Sequence, residues 1–539
     1  MRSRIAPATA LFITLAILNS FPLALHPATS IGQHGDSYFS VWRLAWVAHQ
    51  LAADPAHLFN GNIFYPHHDT LAYSDAMLLP AVTLAPLAWV GIPPVVVYNF
   101  ALLAAFVASG VAAFLLVREL TGSVAAGLLG GIIFGFSPHR LEHFDHLELQ
   151  FAFWMPLAAL AWHRAVDKDR GYVIVGLLAA GQVLSSIYHG VFLVTWLAVL
   201  TGIRLIRTPK RALRAGALML APPVLVLAIY SLPYMRSRAE LGDRPPTDVA
   251  SYSAMPSDFL SAPQNNRLYG WTDPIGANER HLFPGVVATL LLIVGLWPPF
   301  DRTRLLHAAG LALALELTLG FNGGLYQWLY EWVLPFRGLR VPARADILVL
   351  LGTAVLAGFG LTRLNRFFAQ PRLAALTTTA VLTLTCLEFL ASPILIPVQP
   401  SPSVWYGWLK TVPDAVVFEW PVTVPWRLYN MVDVKYMYWS TAHWRPMLNG
   451  YSGYYPDSYI KLLYQMRSFP DTASIAELQR RGATILVVHE GEGTRPSYTA
   501  AVERLVRDPS VKVIAQDTEG GQRLTFFRLA PAPAPSRRN

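Results

Sequence analysis

Residues 77–93 have the sequence MLLPAVTLAPLAWVGIP, and whether this stretch crosses a membrane decides the topology of the whole chain. The stretch is apolar over nearly the length of a span, but it contains Pro80 and Pro86 and runs into Pro93 and Pro94. Proline lacks a backbone N–H donor and interrupts a helix. We therefore predict that 77–93 is a broken or interfacial segment and not a spanning helix.

The composition around this segment is that of a membrane protein. Hydrophobic residues make up 54% of the 539 residues and charged residues only 14%, and the mean hydropathy is +0.38. A soluble globular protein carries about 25% charged residues. The chain is therefore predicted to be an α-helical polytopic membrane protein. Its one cysteine, Cys386, excludes an intramolecular disulfide and a thiolate metal cluster.

Apart from 77–93, about eleven apolar runs are candidates for spanning helices. In chain order they cover residues 5–26, 95–117, 122–137, 148–165, 171–187, 189–206, 213–234, 284–300, 304–320, 345–362 and 373–395. A cleaved signal peptide is the alternative for 5–26. No small-x-small cleavage site follows that run, so an uncleaved first span is predicted.

The basic residues give the orientation. If 77–93 does not span and the N-terminus is cytoplasmic, the Arg and Lys clusters between the runs fall inside, as the positive-inside rule requires. If 77–93 did span, these clusters would face outward. They also account for the net charge of +9 without a nucleic-acid partner. The clusters are Arg118, Arg164/Lys168/Arg170, Arg204/Arg207/Lys210/Arg211/Arg214, Arg302/Arg304 and Arg363/Arg366/Arg372.

This topology divides the chain into a membrane region, 1–399, and an outer C-terminal region. The outer loops of the membrane region cover about 27–94, 138–147, 235–283 and 321–344. They hold most of its aromatic, histidine and acidic residues, whereas the inner loops are short and basic. Chemistry or binding is therefore predicted on the outer face.

The C-terminal region, 400–530, has a different pattern. Short β-like runs at 415–418 and 484–488 alternate with helical stretches at 458–468 and 474–481, and a last strand is expected at 524–529. Such alternation is typical of a small α/β domain, here an extracytoplasmic one. The proline-rich tail 531–539 is predicted to be disordered.

Asp36 follows the first span in the stretch His34-Gly35-Asp36-Ser37-Tyr38. A carboxylate at the outer face could act as a general base toward an acceptor hydroxyl or amine. The alternative is a helix cap. The stretch 41–51 that follows is amphipathic and rich in tryptophan, which places Trp42 and Trp46 at the membrane interface.

The second outer loop contains His139, His143 and His146 at i, i+4 and i+7, so one helical face could present all three. A divalent metal site is one interpretation, because imidazole binds several metals. A polar patch for a sugar or phosphate is the second, and ordinary loop polarity is the third. No motif indicates any other cofactor.

Three arginines stand in the outer segment 321–344, against the positive-inside pattern. Arg337, Arg340 and Arg344 are predicted to bind the phosphate of a lipid donor through charge-assisted hydrogen bonds. The alternative is snorkelling to lipid headgroups. In the third loop, Tyr269 and Glu279 belong to the residue types that contact sugars.

These features resemble the GT-C class of polytopic glycosyltransferases, in particular dolichyl-phosphate-mannose-type and lipid A aminoarabinose transferases and YfhO-like bacterial membrane proteins. The resemblance covers the whole chain as architecture: a first span, a long outer loop opening with an acidic residue, further spans and an outer soluble domain. The chain departs from the commoner Asp-Glu pair by having Gly35-Asp36-Ser37, and its second loop is richer in histidine.

The resemblance implies an inverting glycosyltransferase of the bacterial cytoplasmic membrane that uses a polyprenyl-phosphate-linked sugar. The acceptor would be a lipid, a glycan or a protein. Asp36 would be the general base, and Asp145 would take the acidic position of the second loop. Alternatives are a lipid-linked glycan transporter or flippase and a non-catalytic protein with the GT-C fold. The substrate-binding candidates are His34, Tyr38, His67, His139, His143, His146, Tyr269 and Glu279.

Overall fold

A computed structural model describes residues 4–277, 279–399, 401–423, 431–490, 497–519 and 521–531. Of the predicted disordered tail, residues 532–539 lie outside this description. The membrane region is helical because a chain in lipid must bond its backbone groups internally. Several of its helices begin with a first-turn proline, where the missing N–H removes no helical hydrogen bond.

The helices of the membrane region are α1 (Ile5–Ser20), α2 (Gly35–Ala53), α3 (Leu78–Trp89), α4 (Pro94–Thr121), α5 (Val124–Phe136), α6 (Pro138–Glu142), α7 (Leu147–Gln150), α8 (Trp154–Lys168), α9 (Tyr172–Ser185), α10 (Ile187–Leu205), α11 (Pro209–Leu241), α12 (Pro246–Ser251), α13 (Val286–Gly295), α14 (Arg302–Leu319), α15 (Leu325–Trp332), α16 (Asp346–Arg366) and α17 (Pro371–Glu388). Two short strands, β1 (Ser30–Gly32) and β2 (Leu395–Pro397), pair antiparallel. This pairing brings the start of the first outer loop beside the end of the membrane region.

Within the described residues, six helical stretches are long and apolar enough to cross a membrane. The chain is therefore a multi-pass membrane protein. The total of eleven spans stays a prediction. The six stretches are Pro94–Thr121, Val124–Glu142, Ile187–Leu205, Pro209–Leu241, Arg302–Asn322 and Pro342–Arg366.

Helix α3, inside the segment 77–93, has 12 residues. At about 1.5 Å per residue it is about 18 Å long, which is shorter than the hydrocarbon core of about 30 Å. The run expected at 148–165 begins later than predicted, because α8 starts at Trp154. Glu148 and Gln150 lie before it and bond the guanidinium groups of Arg43 and Arg140.

The C-terminal region contains α18 (Val404–Leu409), β3 (Val417–Trp420), α19 (Met431–Ser440), α20 (Asp457–Gln465), α21 (Thr472–Arg480), β4 (Ile485–His489), α22 (Tyr498–Val506), β5 (Val511–Glu519) and β6 (Gln522–Leu529). The strands form one sheet in the order β3-β4-β6-β5. β3 and β4 are parallel, and the other two pairs are antiparallel. The strands predicted at 415–418, 484–488 and 524–529 correspond to β3, β4 and β6.

The sheet buries both faces. Alternate residues of β3 belong to different apolar clusters, as the period of two in a strand requires. Phe418 and Trp420 join the cluster that continues through the membrane region. Val417 packs instead with Tyr406 of α18 and Trp439 of α19. The C-terminal region is thus packed onto the membrane region through a continuous apolar core.

Candidate functional site

A cavity of about 640 Å³ lies where the first outer loop, α11, the segment 321–344 and the C-terminal region meet. One end is charged and is formed by His34, Asp36, Arg43, Asp75, His146, Glu148, Glu279 and Arg344. Another wall is apolar and includes Val224, Leu227, Ala228, Met235 and Leu241 of α11. Val224 and Met235 are 55% and 52% exposed, so this wall continues onto an outward-facing apolar surface of α11.

Asp36 lies in the first turn of α2, at the charged end of the cavity. His34 precedes the helix as its N-cap residue, with Nδ1 3.2 Å from the Asp36 amide nitrogen, so Asp36 is not the helix cap. The Asp36 carboxylate accepts the hydroxyl proton of Tyr451 at 3.1 Å. Its second oxygen lies 3.0 Å from His34 Nδ1 and 3.6 Å from His146 Nε2. Three segments distant in sequence therefore position one carboxylate.

These contacts set the charge states of Asp36 and its neighbours. Burial alone would raise the pKa of Asp36, but the charge of His146 and the hydrogen bond with His34 outweigh it and lower that pKa. The hydrogen bond with Asp36 raises the pKa of His34 to about 9. Burial opposes protonation of His146, yet the charge of Asp36 and the bond to Glu148 raise its pKa. Asp36 is consequently ionised between cationic histidines.

Glu279 joins the charged end of the cavity to residues behind it. Arg344 binds its two oxygens in a fork, at 2.9 and 2.5 Å. His143 Nε2 lies 2.9 Å from Oε2, and His146 Nε2 lies 3.9 Å from Oε1. Burial disfavours the charged carboxylate, but Arg344 and His143 together hold the pKa of Glu279 well below its usual value.

Four further polar residues of this end, Arg43, Asp75, Glu148 and Tyr451, were not among the predicted site residues. Arg43 donates to Glu148 at 2.8 Å and to the carbonyl oxygen of Asp75 at 2.5 Å. Burial raises the pKa of the Asp75 carboxyl group to about 7. The signal for Arg43 is its position on α2, two turns after Asp36 and on the same face. The contact of Tyr451 with Asp36, across 415 residues, has no comparable signal in the sequence.

Seven predicted site residues line the cavity, and the others do not. Asp145 accepts the Ser37 hydroxyl at 2.5 Å, behind Asp36. The lining residues among the predictions are His34, Asp36, His146, Glu279, Arg337, Arg340 and Arg344.

Three of the predicted substrate-binding residues have structural partners elsewhere. Tyr38 accepts the Gln399 amide at 2.8 Å. His67 lies against Ser458 and Glu240. Tyr269 donates to Glu388, which in turn accepts the first amides of α13.

The three histidines of the second loop do not share a helical face. Helix α6 ends at Glu142, so the helix predicted through His146 is interrupted. His139 and His143 remain neighbours, with ring centres 4.5 Å apart. His146 turns instead toward Asp36.

Arg337 and Arg340 make contacts of a different kind from the ion pair between Arg344 and Glu279. Arg337 donates to the backbone carbonyl oxygens of Tyr330 and Glu331, at 3.2 and 2.6 Å. The guanidinium carbon of Arg340 lies 5.2 Å from the centre of the Tyr252 ring. Both side chains line the cavity beside Leu334 and Leu339, so they bring positive charge next to apolar surface.

The interfacial position predicted for Trp42 and Trp46 is wrong. Both are buried, at 0% and 5% exposure. Trp42 donates to Asn62 at 3.1 Å, and Trp46 packs edge-on against Trp444 of the C-terminal region. The C-terminal region covers the face of α2 that the sequence pattern assigns to the membrane interface.

Residues 10–321 match the model of the family DUF6311, described as a domain of unknown function. The chain belongs to this family. No curated protein matches the chain. The DUF6311 region contains α1 to α14 and hence Asp36, His146 and Glu279, but neither Arg344 nor the C-terminal region.

Solved structures similar to this DUF6311 chain have been determined. A cryo-EM structure of a mutant of the arabinofuranosyltransferase AftD from Mycobacteria matches with a TM-score of 0.61 and 14% identity. The match covers 98% of this chain and 41% of AftD, so the chain spans less than half of that protein. A crystal structure of ArnT from Cupriavidus metallidurans bound to undecaprenyl phosphate matches with a TM-score of 0.45 and 11% identity, over 99% of this chain and 98% of ArnT. The likeness to AftD confirms the predicted GT-C fold.

Proposed function

We propose that this protein transfers a sugar from a polyprenyl-phosphate donor to an acceptor at the outer face of the cytoplasmic membrane, with inversion and with Asp36 as general base. The observation that carries the proposal is the two-sided character of the cavity. Its charged end holds Asp36, and its apolar wall continues onto an exposed face of α11. A donor with a polar sugar phosphate and a long apolar tail has the same two sides.

In the proposed reaction, Asp36 accepts the proton of the acceptor hydroxyl. The acceptor oxygen forms a bond to the anomeric carbon on the face opposite the phosphate. The bond between that carbon and the phosphate oxygen breaks, and the electron pair leaves with the lipid phosphate. The low pKa of Asp36 keeps it ionised for this step but makes it a weak base. Most of the acceleration would therefore come from stabilising the departing phosphate.

Arg337 and Arg340 are the proposed phosphate ligands. They lie at the apolar wall, and guanidinium groups stabilise phosphate oxygens through charge-assisted bonds. Arg344 lines the same cavity, but its charge is already paired with the buried Glu279 carboxylate, whereas Arg337 donates to uncharged backbone carbonyl oxygens. It would add positive charge to the site and orient Glu279, without binding phosphate through both arms.

The test uses the purified full-length protein in detergent or nanodiscs with radiolabelled undecaprenyl-phosphate hexoses and pentoses and a membrane extract as acceptor source. We expect release of undecaprenyl phosphate together with transfer of label to acceptor. Asp36→Asn serves as the matched inactive protein, since it removes the charge and keeps the shape. Donor hydrolysis or transfer at the same rate in Asp36→Asn would remove the general-base role.

The same cavity also fits a lipid-linked glycan transporter or flippase, because a path for a charged headgroup with an apolar tail has the same two sides. In reconstituted vesicles a transporter would move an intact labelled donor across the bilayer without releasing lipid phosphate. A protein with the fold but no activity would do neither. The two measurements together therefore separate the three functions.

A further inference from the structure

Behind the cavity, His139, Glu142 and His143 form a compact cluster around helix α6. One donor atom from each side chain lies within 4.8 Å of the other two. His139 Nδ1 and His143 Nδ1 lie 4.0 and 3.8 Å from Glu142 Oε2. Both histidines are buried, at 4% and 3% exposure. The geometry points to a zinc site on these three side chains, separate from Asp36.

Unsatisfied polar atoms aim into this cluster. Buried His139 Nδ1 and Glu142 Oε2 both lack a hydrogen-bond partner. Neither oxygen of the fully buried Asp346 has a hydrogen-bond partner, and this side chain lies near enough to His143 and Glu142 to feel their charges. Burying such atoms unpaired is costly. A dication bound by the three side chains would satisfy His139 Nδ1 and Glu142 Oε2.

The remaining atoms of the three side chains are held in the way that metal ligands require. His139 Nδ1 is buried and has no hydrogen-bond partner, so it is available to a metal ion. Glu142 uses its other oxygen to bind His281 Nδ1 at 2.5 Å. His143 Nε2 faces Glu279 at 2.9 Å. Carboxylates that fix the second nitrogen of a ligand histidine are the usual outer partners of zinc sites.

The donor set favours zinc over magnesium or calcium. Two imidazole nitrogens and one carboxylate oxygen suit a transition metal, whereas magnesium and calcium prefer oxygen ligands. With bonds of about 2.0–2.1 Å, tetrahedral zinc holds its ligand atoms about 3.3 Å apart. No two of the three donor atoms are more than 4.8 Å apart, so the cluster must contract by at most about 1.5 Å. His143 Nδ1 would give up its 2.9 Å contact with the His139 carbonyl oxygen. His139 and His143 also have the i, i+4 spacing of the two zinc ligands in the HxxEH pattern, in which the Glu is a base and not a ligand.

The competing arrangement has no metal. A doubly protonated His143 ring would then donate to both Glu279 and the His139 carbonyl oxygen. The two arrangements differ in metal content and in the coordination spectrum of a substituted metal, so they can be distinguished whether or not a substrate is known.

The experiment measures metal bound by the full-length protein, purified in detergent through a tag without histidine. Wild type is stripped with chelator, loaded with Zn²⁺ or Co²⁺, and analysed by mass spectrometry and visible absorption. We expect about one Zn²⁺ per chain and the ligand-field bands of four-coordinate Co²⁺. His139→Gln and Glu142→Gln should lower zinc affinity at least about tenfold. His443→Gln is the matched control, since His443 is equally buried with an unpartnered ring nitrogen but lies in the C-terminal region.

Zinc below about a tenth of an equivalent in loaded wild type, or wild-type binding in His139→Gln, would overturn the proposal, because a structural site cannot survive loss of a ligand. The proposal would also be overturned if His443→Gln lost as much metal as His139→Gln. Size exclusion checks that each variant is folded. Should the ligand variants not fold, the Co²⁺ spectrum of wild type decides alone: four-coordinate bands support the site, and their absence overturns it.

Discussion

The two ends of the membrane region use charge in opposite ways. At the end with the basic loops, Arg164 and Glu119 pair at 3.0 Å with side chains 48% and 39% exposed. At the cavity end, Arg43 and Glu148 pair at 2.8 Å with side chains 1% and 7% exposed. Exposed pairs contribute little to stability, whereas a buried charge that loses its partner is strongly destabilising. The exposed pairs at the first end therefore contribute little to the fold, whereas the buried pairs at the second end hold the cavity residues in place.

The largest effect should come from removing the carboxylate of Asp36. We expect Asp36→Asn to lower the transfer rate by about 10²–10⁴-fold, the usual contribution of a general base. Membrane insertion should be unchanged, because Asp36 lies in the first turn of α2, outside the spanning stretches. The measurement is initial rate of lipid-phosphate release at saturating donor.

Asp169→Asn is the control from the other end. Asp169 pairs with Arg211 and Arg214 and is about as exposed as they are. The Asp169→Asn variant should transfer sugar at the wild-type rate. A loss in Asp169→Asn as large as that in Asp36→Asn would mean that both ends contribute to the reaction, and the contrast between them would fail.

Glu279→Gln should have the next largest effect, on stability. It would leave Arg344 buried and unpaired, a change that typically costs about 3–5 kcal/mol. The equivalent change at the basic end, Glu119→Gln, removes an exposed pair and should cost at most about 1 kcal/mol. Unfolding of both variants in detergent, monitored by tryptophan fluorescence, gives the loss in free energy of unfolding for each. Equal losses would show that burial does not separate the two ends.

The difference between the ends also explains what the sequence could predict. The apolar runs, the basic loops and the strands of the C-terminal region follow from local composition, and the GT-C fold was expected from the resemblance to a known family. The position of Asp36 after the first span is also local. Its partner Tyr451 lies 415 residues away, so their contact depends on how the C-terminal region packs.

The wrong expectations share one physical cause. Trp42 and Trp46 were assigned to the membrane interface because an amphipathic helix shows which face is apolar but not what covers it. The covering group is protein, including Trp444. Similarly, the regular spacing of His139, His143 and His146 assumed that one helix continues, but α6 ends at Glu142. Tertiary packing determines both outcomes, and it cannot be predicted from the spacing of residues in the sequence.

Arg340→Gln should have a moderate effect on donor binding. Loss of one guanidinium contact to phosphate removes a charge-assisted hydrogen bond of about 1.5–3 kcal/mol, so KM for the donor should rise by at least about tenfold. Arg302→Gln, at the basic end, should leave KM unchanged, since Arg302 bonds a backbone carbonyl oxygen of Arg204 there. An unchanged KM in Arg340→Gln would move the phosphate site away from this wall.

The smallest effect should be the pH dependence of the pair His34–Asp36. The pKa of His34 is raised to about 9 by the hydrogen bond with Asp36, so the pair's contribution to stability is fully present below the unfolded value of about 6.5 and is lost as pH rises through 9. His34 is half-exposed, and the contribution should be at most about 1 kcal/mol. Wild type should therefore exceed His34→Gln in Tm at about pH 6 and lose that advantage at about pH 10. His57→Gln, in an exposed pair beyond the far end of α2, should show a smaller difference. A constant difference in Tm between wild type and His34→Gln across this pH range would contradict the prediction. It would mean that the His34 ring only accepts the Asp36 amide and stays neutral.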